Sequence, residues 1–111
     1  MGYVARDAVI KFIAAATDIR EGSLHRFRVE GMQLFLTQVK GTYYAVENLC
    51  THAMVTFGPA TLVGLHLTCA WHGFRFNVDS GICDAWPGLE PLHRYTVIEQ
   101  DGNLYLGDRR E

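Results

Sequence analysis

Cysteine and histidine occur in this chain as two matched pairs, Cys50-Thr51-His52 and Cys69-Ala70-Trp71-His72, with sixteen residues between them. Each pair is a short arm carrying one soft thiolate and one imidazole, so a fold that uses them must bring the two arms together. That inventory binds a transition metal more readily than it closes a disulfide. Two cysteines and two histidines suit either tetrahedral zinc or an iron–sulfur centre.

How the ligands are divided between the arms separates these options. A zinc finger usually places its cysteines on one arm and its histidines on the other, whereas here each arm carries one of each. In a [2Fe–2S] centre of mixed ligation, two thiolates hold one iron and two imidazoles hold the other. Two arms that each supply one ligand to each iron fit that arrangement.

Cys50, Thr51, His52 and Cys69, Ala70, Trp71, His72, Gly73 resemble the pattern of the Rieske family, Cys-x-His followed after a spacer by Cys-x-x-His-Gly. Phe74-Arg75-Phe76-Asn77 and Ser80-Gly81 resemble its continuation. The resemblance runs from about Ile10 to Leu106 and is nearest to the small Rieske ferredoxins of aromatic-ring dioxygenase systems. It implies one [2Fe–2S] cluster per chain, with Cys50 and Cys69 on the buried iron and His52 and His72 on the iron nearer solvent. It implies a one-electron carrier that is not itself an enzyme, fed by a flavoprotein NAD(P)H-dependent reductase and drained by a terminal Rieske oxygenase. A nitrite reductase-like small subunit and a structural zinc module are the alternatives.

The rest of the chain reads as scaffold. Phe27 and Val29 alternate with Arg26, Arg28 and Glu30 at the period of a half-buried strand, and Glu30-Gly31 turns into Gln33–Val39. Lys40-Gly41 turns into Tyr43–Val46; Leu65–Thr68 and Phe74–Val78 are further strands, and Tyr95–Glu99 with Leu104–Leu106 make a last hairpin. Val9–Ala14 is a first strand or, from its alanines, a short helix. No ten-residue stretch has a convincing helical period, so the expected class is all-β with antiparallel sheets. By resemblance this is the Rieske fold, sandwich- or barrel-like. A small cluster-binding subdomain, about residues 47–89, is formed by two ligand loops and a proline loop at Trp86-Pro87.

At 111 residues the chain is expected to form a single domain, 1–111, with a core that needs no disulfide. A net charge of −2 without basic clusters argues against nucleic acid, and no apolar run approaches the ~20 residues of a membrane span. With Cys50 and Cys69 assigned, the third cysteine, Cys83, has no intrachain partner, which points to a reducing compartment. The start of the chain shows no secretory leader, and the expectation is a cytoplasmic monomer.

Departures from the family pattern bear on redox potential. High-potential relatives carry a disulfide between the arms, and serine and tyrosine hydroxyls that donate to the cluster and a ligand sulfur. This chain has Met54, Val55, Ala70 and Trp71 on the arms, and Phe74 and Phe76 where those hydroxyls would stand. The resemblance therefore implies a potential low in the Rieske range, roughly −150 mV. Trp71 either packs beneath the cluster or projects as a docking residue. His25, His66 and His93 read as sheet-surface histidines, and Cys83 as a packing thiol.

Overall fold

Computed as a structural model, the chain is described over residues 11–70 and 73–110. These residues form β1 (Lys11–Ala15), a 3-10 turn at Ala16–Asp18, β2 (Leu24–Val29), β3 (Met32–Val39) and β4 (Thr42–Glu47). Then come β5 (Thr61–Val63), β6 (His66–Thr68), β7 (Arg75–Asn77), β8 (Arg94–Gln100) and β9 (Asn103–Arg110).

Three two-residue turns set the register of the larger sheet. Glu30-Gly31, Lys40-Gly41 and Asp101-Gly102 each have positive φ at both positions, for example 49° and 83° in the first. This is the turn whose twist matches that of paired antiparallel strands, and glycine in second place adopts it without a Cβ clash. The turns pair Val29 with Met32, Val39 with Thr42 and Gln100 with Asn103. The sheet runs β1-β9-β8-β4-β3-β2 with every neighbour antiparallel. Register shifts at Phe12/Ala14 and Tyr95/Val97 mark irregularities that bend the strands, and β1 returns beside β2, so the sheet is nearly closed. The second sheet is β5-β6-β7, also antiparallel.

β3 shows how the two sheets share one scaffold. Its residues Leu34, Phe35, Leu36 and Thr37 are all buried, which a strand with one wet face does not allow. Successive side chains point to opposite faces. Leu34 and Leu36 enter the barrel core with Ile13, Ala45, Leu104 and Leu106, while Phe35 enters a second core with Val46, Phe57, Leu67 and Phe76. The rings of Phe35 and Phe57 lie 5.8 Å apart and those of Phe57 and Phe76 another 5.8 Å, both edge to face. Each such pair adds about 0.5–1.5 kcal/mol beyond burial. This second core carries Cys50, Cys69 and Cys83.

The meander and the last hairpin match the expected pattern, and three details differ. The first strand runs to Ala15, and the alanines do not make an α-helix because the backbone bonds are taken elsewhere: β1 pairs with β9, and Ala16 N–H donates to Gly102 O at 2.8 Å. Residues before Lys11 lie outside the described residues. β5 was not expected; its three residues have no alternation of their own and hold by pairing Leu62 with Leu67. β9 continues past Leu106 to Arg110 because Arg94 and Tyr95 of β8 pair with Arg110 and Arg109.

Candidate metal centre

The first arm leaves the sheet at the end of β4. Asn48 N–H donates to Gln33 O at 2.9 Å, and its side-chain oxygen accepts from Phe57 N–H at 2.9 Å, fixing both ends of the segment that carries Cys50 and His52. Cys50 N–H donates to Val55 O at 2.6 Å and Met54 N–H to Cys50 O at 2.8 Å, so the arm is a closed turn, with Met54 in the left-handed region at φ 55°. The second arm follows β6. Cys69 N–H donates to Phe74 O at 2.8 Å and Gly73 N–H to Cys69 O at 3.0 Å. Trp71 and His72 lie outside the described residues.

These two turns converge. Cys50 Sγ, a ring nitrogen of His52 and Cys69 Sγ all lie within 4.8 Å of one another. Both cysteines are fully buried, and His52 is half-buried. Burial, with Cys69 beside it, pushes the Cys50 thiol up to about 12. Two thiolates side by side in an apolar core repel unless a cation lies between them. Two sulfurs and an imidazole nitrogen on one point are donors that suit iron or zinc, so the residues fit the group the arms were read to hold.

The third element is the segment after β7. Asp84 N–H donates to Arg75 O at 2.9 Å, and the Arg75 guanidinium meets the Asp84 carboxylate at 2.7 Å. Leu89 N–H closes onto Trp86 O at 2.9 Å, and the Thr51 hydroxyl donates to Glu90 O. The proline loop thus lies against the first arm.

Residues 10–96 match the Rieske [2Fe-2S] domain. The chain belongs to this family. Its cofactor is a Rieske-type [2Fe–2S] cluster, and the zinc alternative left open by the donor types is set aside. Ferredoxin CarAc of Metapseudomonas resinovorans is 31% identical over 100 residues, 89% of this chain and 94% of that protein. The ferredoxin component of the naphthalene 1,2-dioxygenase system of Pseudomonas putida is 36% identical over 90 residues, 79% of this chain and 86% of the relative. A solved complex of reduced oxygenase and oxidized ferredoxin in carbazole 1,9a-dioxygenase contains a chain that superposes with TM-score 0.80 at 30% identity, covering 93% of this chain and 97% of that one.

Of the four expected ligands of the Rieske centre, the structure brings Cys50, His52 and Cys69 together, and His72 lies outside the described residues. Cys83 is a packing thiol, fully buried in the same core as Cys50 and Cys69. His25 stands on β2, its Nε2 2.7 Å from Ser23 Oγ, and His66 is 3.7 Å from Asp84, as sheet-surface histidines. His93 departs from that reading. Its side chain is only 13% exposed, with Nδ1 3.0 Å from a Glu47 oxygen and Nε2 2.6 Å from a Glu90 oxygen, so it braces the end of β4 against the proline loop. Thr51, Phe74 and Trp86 also contribute contacts the sequence did not announce, because their partners lie 12 to 39 residues away.

Proposed function

We propose that this chain is an electron-transfer ferredoxin that takes single electrons from a flavoprotein NAD(P)H-dependent reductase and passes them to a terminal aromatic-ring dioxygenase. Cys50 and Cys69 are the sulfur ligands of its cluster, and His52 and His72 the imidazole ligands. When bound, the cluster accepts and returns one electron at a time. The observation that carries the reading is the convergence of Cys50, His52 and Cys69 within 4.8 Å, both thiols buried and the imidazole half-buried. Buried thiols keep water from the sulfur side, while the imidazole side lies where a partner can approach. The relative named as the ferredoxin component of a naphthalene 1,2-dioxygenase system and the solved oxygenase–ferredoxin complex supply the class of partner.

In this reading residues 1–111 are a single domain, residues 47–89 are its cluster-binding part, and the protein is a cytoplasmic monomer that catalyses no reaction of its own. No helix among the described residues is long and apolar enough to cross a membrane. A carrier must also release each partner, so its docking surface is small and lies on the side of the centre where the half-buried His52 stands.

The test is an ultraviolet–visible and electron paramagnetic resonance spectrum of anaerobically purified protein, with iron counted per chain, for wild type, His52→Ala and His72→Ala. Two irons and a mixed sulfur–nitrogen signal are expected in wild type only. Wild-type iron and spectrum in either variant would remove the ligand assignment. Aromatic-substrate turnover by purified reductase and oxygenase must then depend on added wild-type protein; turnover at the same rate without it would remove the carrier role.

A further inference from the structure

The edge of the candidate centre carries an aromatic stack whose ring-to-ring contacts the ligand set does not account for. The imidazole of His52 meets the ring of Phe74 edge to face, centroids 4.5 Å apart and planes at 81°. Phe74 also meets the indole of Trp86, centroids 6.4 Å apart and planes at 66°. Both separations fall in the range where ring quadrupoles favour a tilted arrangement over free rotation.

Trp86 is 53% exposed, and a half-exposed indole on an irregular loop directs nothing unless the loop itself is held. Here it is held on both sides. Two residues before Trp86, Asp84 is tied to Arg75 by a backbone bond of 2.9 Å and by its carboxylate on the guanidinium, at 2.8 Å from Nε and 2.7 Å from Nη2. Arg75 is the neighbour of Phe74, so this clamp delivers the loop to the strand end where Phe74 stands. Three residues after Trp86, Leu89 N–H closes the turn onto its carbonyl at 2.9 Å. The ion pair is exposed and contributes little stability by itself, but with the backbone bond it fixes where the indole comes down.

We infer that Trp86 is a positioning residue for the histidine side of the centre, acting on His52 through the ring of Phe74; this rests on the assignment of His52 as a ligand. The indole covers Phe74, and Phe74 sets the tilt of the imidazole and keeps water from one of its flanks. Groups around a metal ligand tune the metal by orienting the ligand and by controlling solvent access. Removing the indole admits water beside His52, and water stabilises the additional negative charge of the reduced centre, so the midpoint potential rises.

The experiment uses the iron-loaded protein as wild type, Trp86→Ala, Trp86→Phe, Phe74→Leu and the double variant. Midpoint potential, electron–nuclear double resonance of the nitrogen ligands, iron per chain and unfolding temperature are measured for each. Trp86→Ala is expected to keep its iron and to unfold no more than about a few degrees lower, the cost of one edge-to-face pair. It should raise the one-electron equilibrium constant for reduction about threefold, roughly 28 mV at 59 mV per tenfold, and change the coupling of one nitrogen. Trp86→Phe should restore both readings, and Trp86→Ala should add nothing in the Phe74→Leu background, because the intermediary is already gone. Unchanged potential and nitrogen coupling in Trp86→Ala, an equal effect in the double variant, or loss of iron with Trp86→Ala would each overturn the inference. Absence of nitrogen coupling in wild type would instead remove His52 as a ligand, a failure read before any Trp86 substitution.

Discussion

The Thr51 side chain donates its hydroxyl hydrogen to the carbonyl oxygen of Glu90, 39 residues along the chain, and so joins the first ligand arm to the proline loop. His93 braces the same junction, between the carboxylates of Glu47 and Glu90. Cys50 and His52, the proposed ligands on that arm one residue either side of Thr51, therefore depend on a loop that carries none of the proposed ligands. Thr51→Val keeps the side-chain shape and removes the donor, leaving a carbonyl without its partner. A loss of about 1 kcal/mol is expected, with iron leaving roughly fivefold faster. The rate of bleaching under a chelator measures it; a rate equal to wild type would mean that the arm holds its shape unaided.

Cys83 tests the ligand set from the other direction. It is fully buried among Cys50, Cys69, Phe57 and Phe76, so Cys83→Ser puts a hydroxyl into an apolar core. A cost of about 1–3 kcal/mol is expected, and unfolding should come several degrees lower. Iron per chain should not change. Thermal unfolding and iron analysis of the same preparation check both halves, and loss of iron would count Cys83 among the ligands.

Phe76→Tyr asks whether a missing hydroxyl holds the potential low. Phe76 is fully buried in the core it shares with Cys50 and Cys69, paired across the sheet with Leu67. A phenol there that reaches a ligand sulfur favours the reduced centre, and a hydrogen bond of ~1 kcal/mol corresponds to roughly 40 mV. Potentiometric titration should show the rise. A midpoint that stays at the wild-type value, with a crystal structure placing the hydroxyl on the sulfur, would reject the explanation.

Alkaline stability carries a signature of Tyr95. Burial first, and then the Glu47 carboxylate, raise its phenol above the ordinary 10.0 despite the opposing pull of Arg109. A folded-state value above the unfolded one means the unfolded chain ionises first as pH climbs. The contribution of the neutral phenol is therefore complete below pH 10 and lost as pH rises beyond it. Tyr95→Phe cannot ionise, so its unfolding temperature should fall less between pH 9 and about pH 11. Parallel decline of the two proteins in calorimetric scans would show that Tyr95 does not titrate differently on folding.

The sequence by itself determined what lies close along the chain. A ligand pair two or three residues apart belongs to one turn whatever surrounds it, so Cys50 with His52 and Cys69 with His72 were legible as arms. Glu30-Gly31, Lys40-Gly41 and Asp101-Gly102 were legible as turns because φ > 0 at both positions is a local property that glycine makes accessible. Alternation marked β2 as a strand but said nothing about what covers each face. Only the tertiary structure decided that Leu34 and Leu36 face the barrel while Phe35 faces the core that holds the three cysteines, since a strand buried on both sides loses its alternation. The same holds for Thr51 on Glu90, for His93 between two carboxylates and for Trp86 over Phe74. These contacts join residues 3 to 46 positions apart, most of them far beyond one turn, and what selects them is the packing of the two sheets and the loops between them, which no local periodicity encodes.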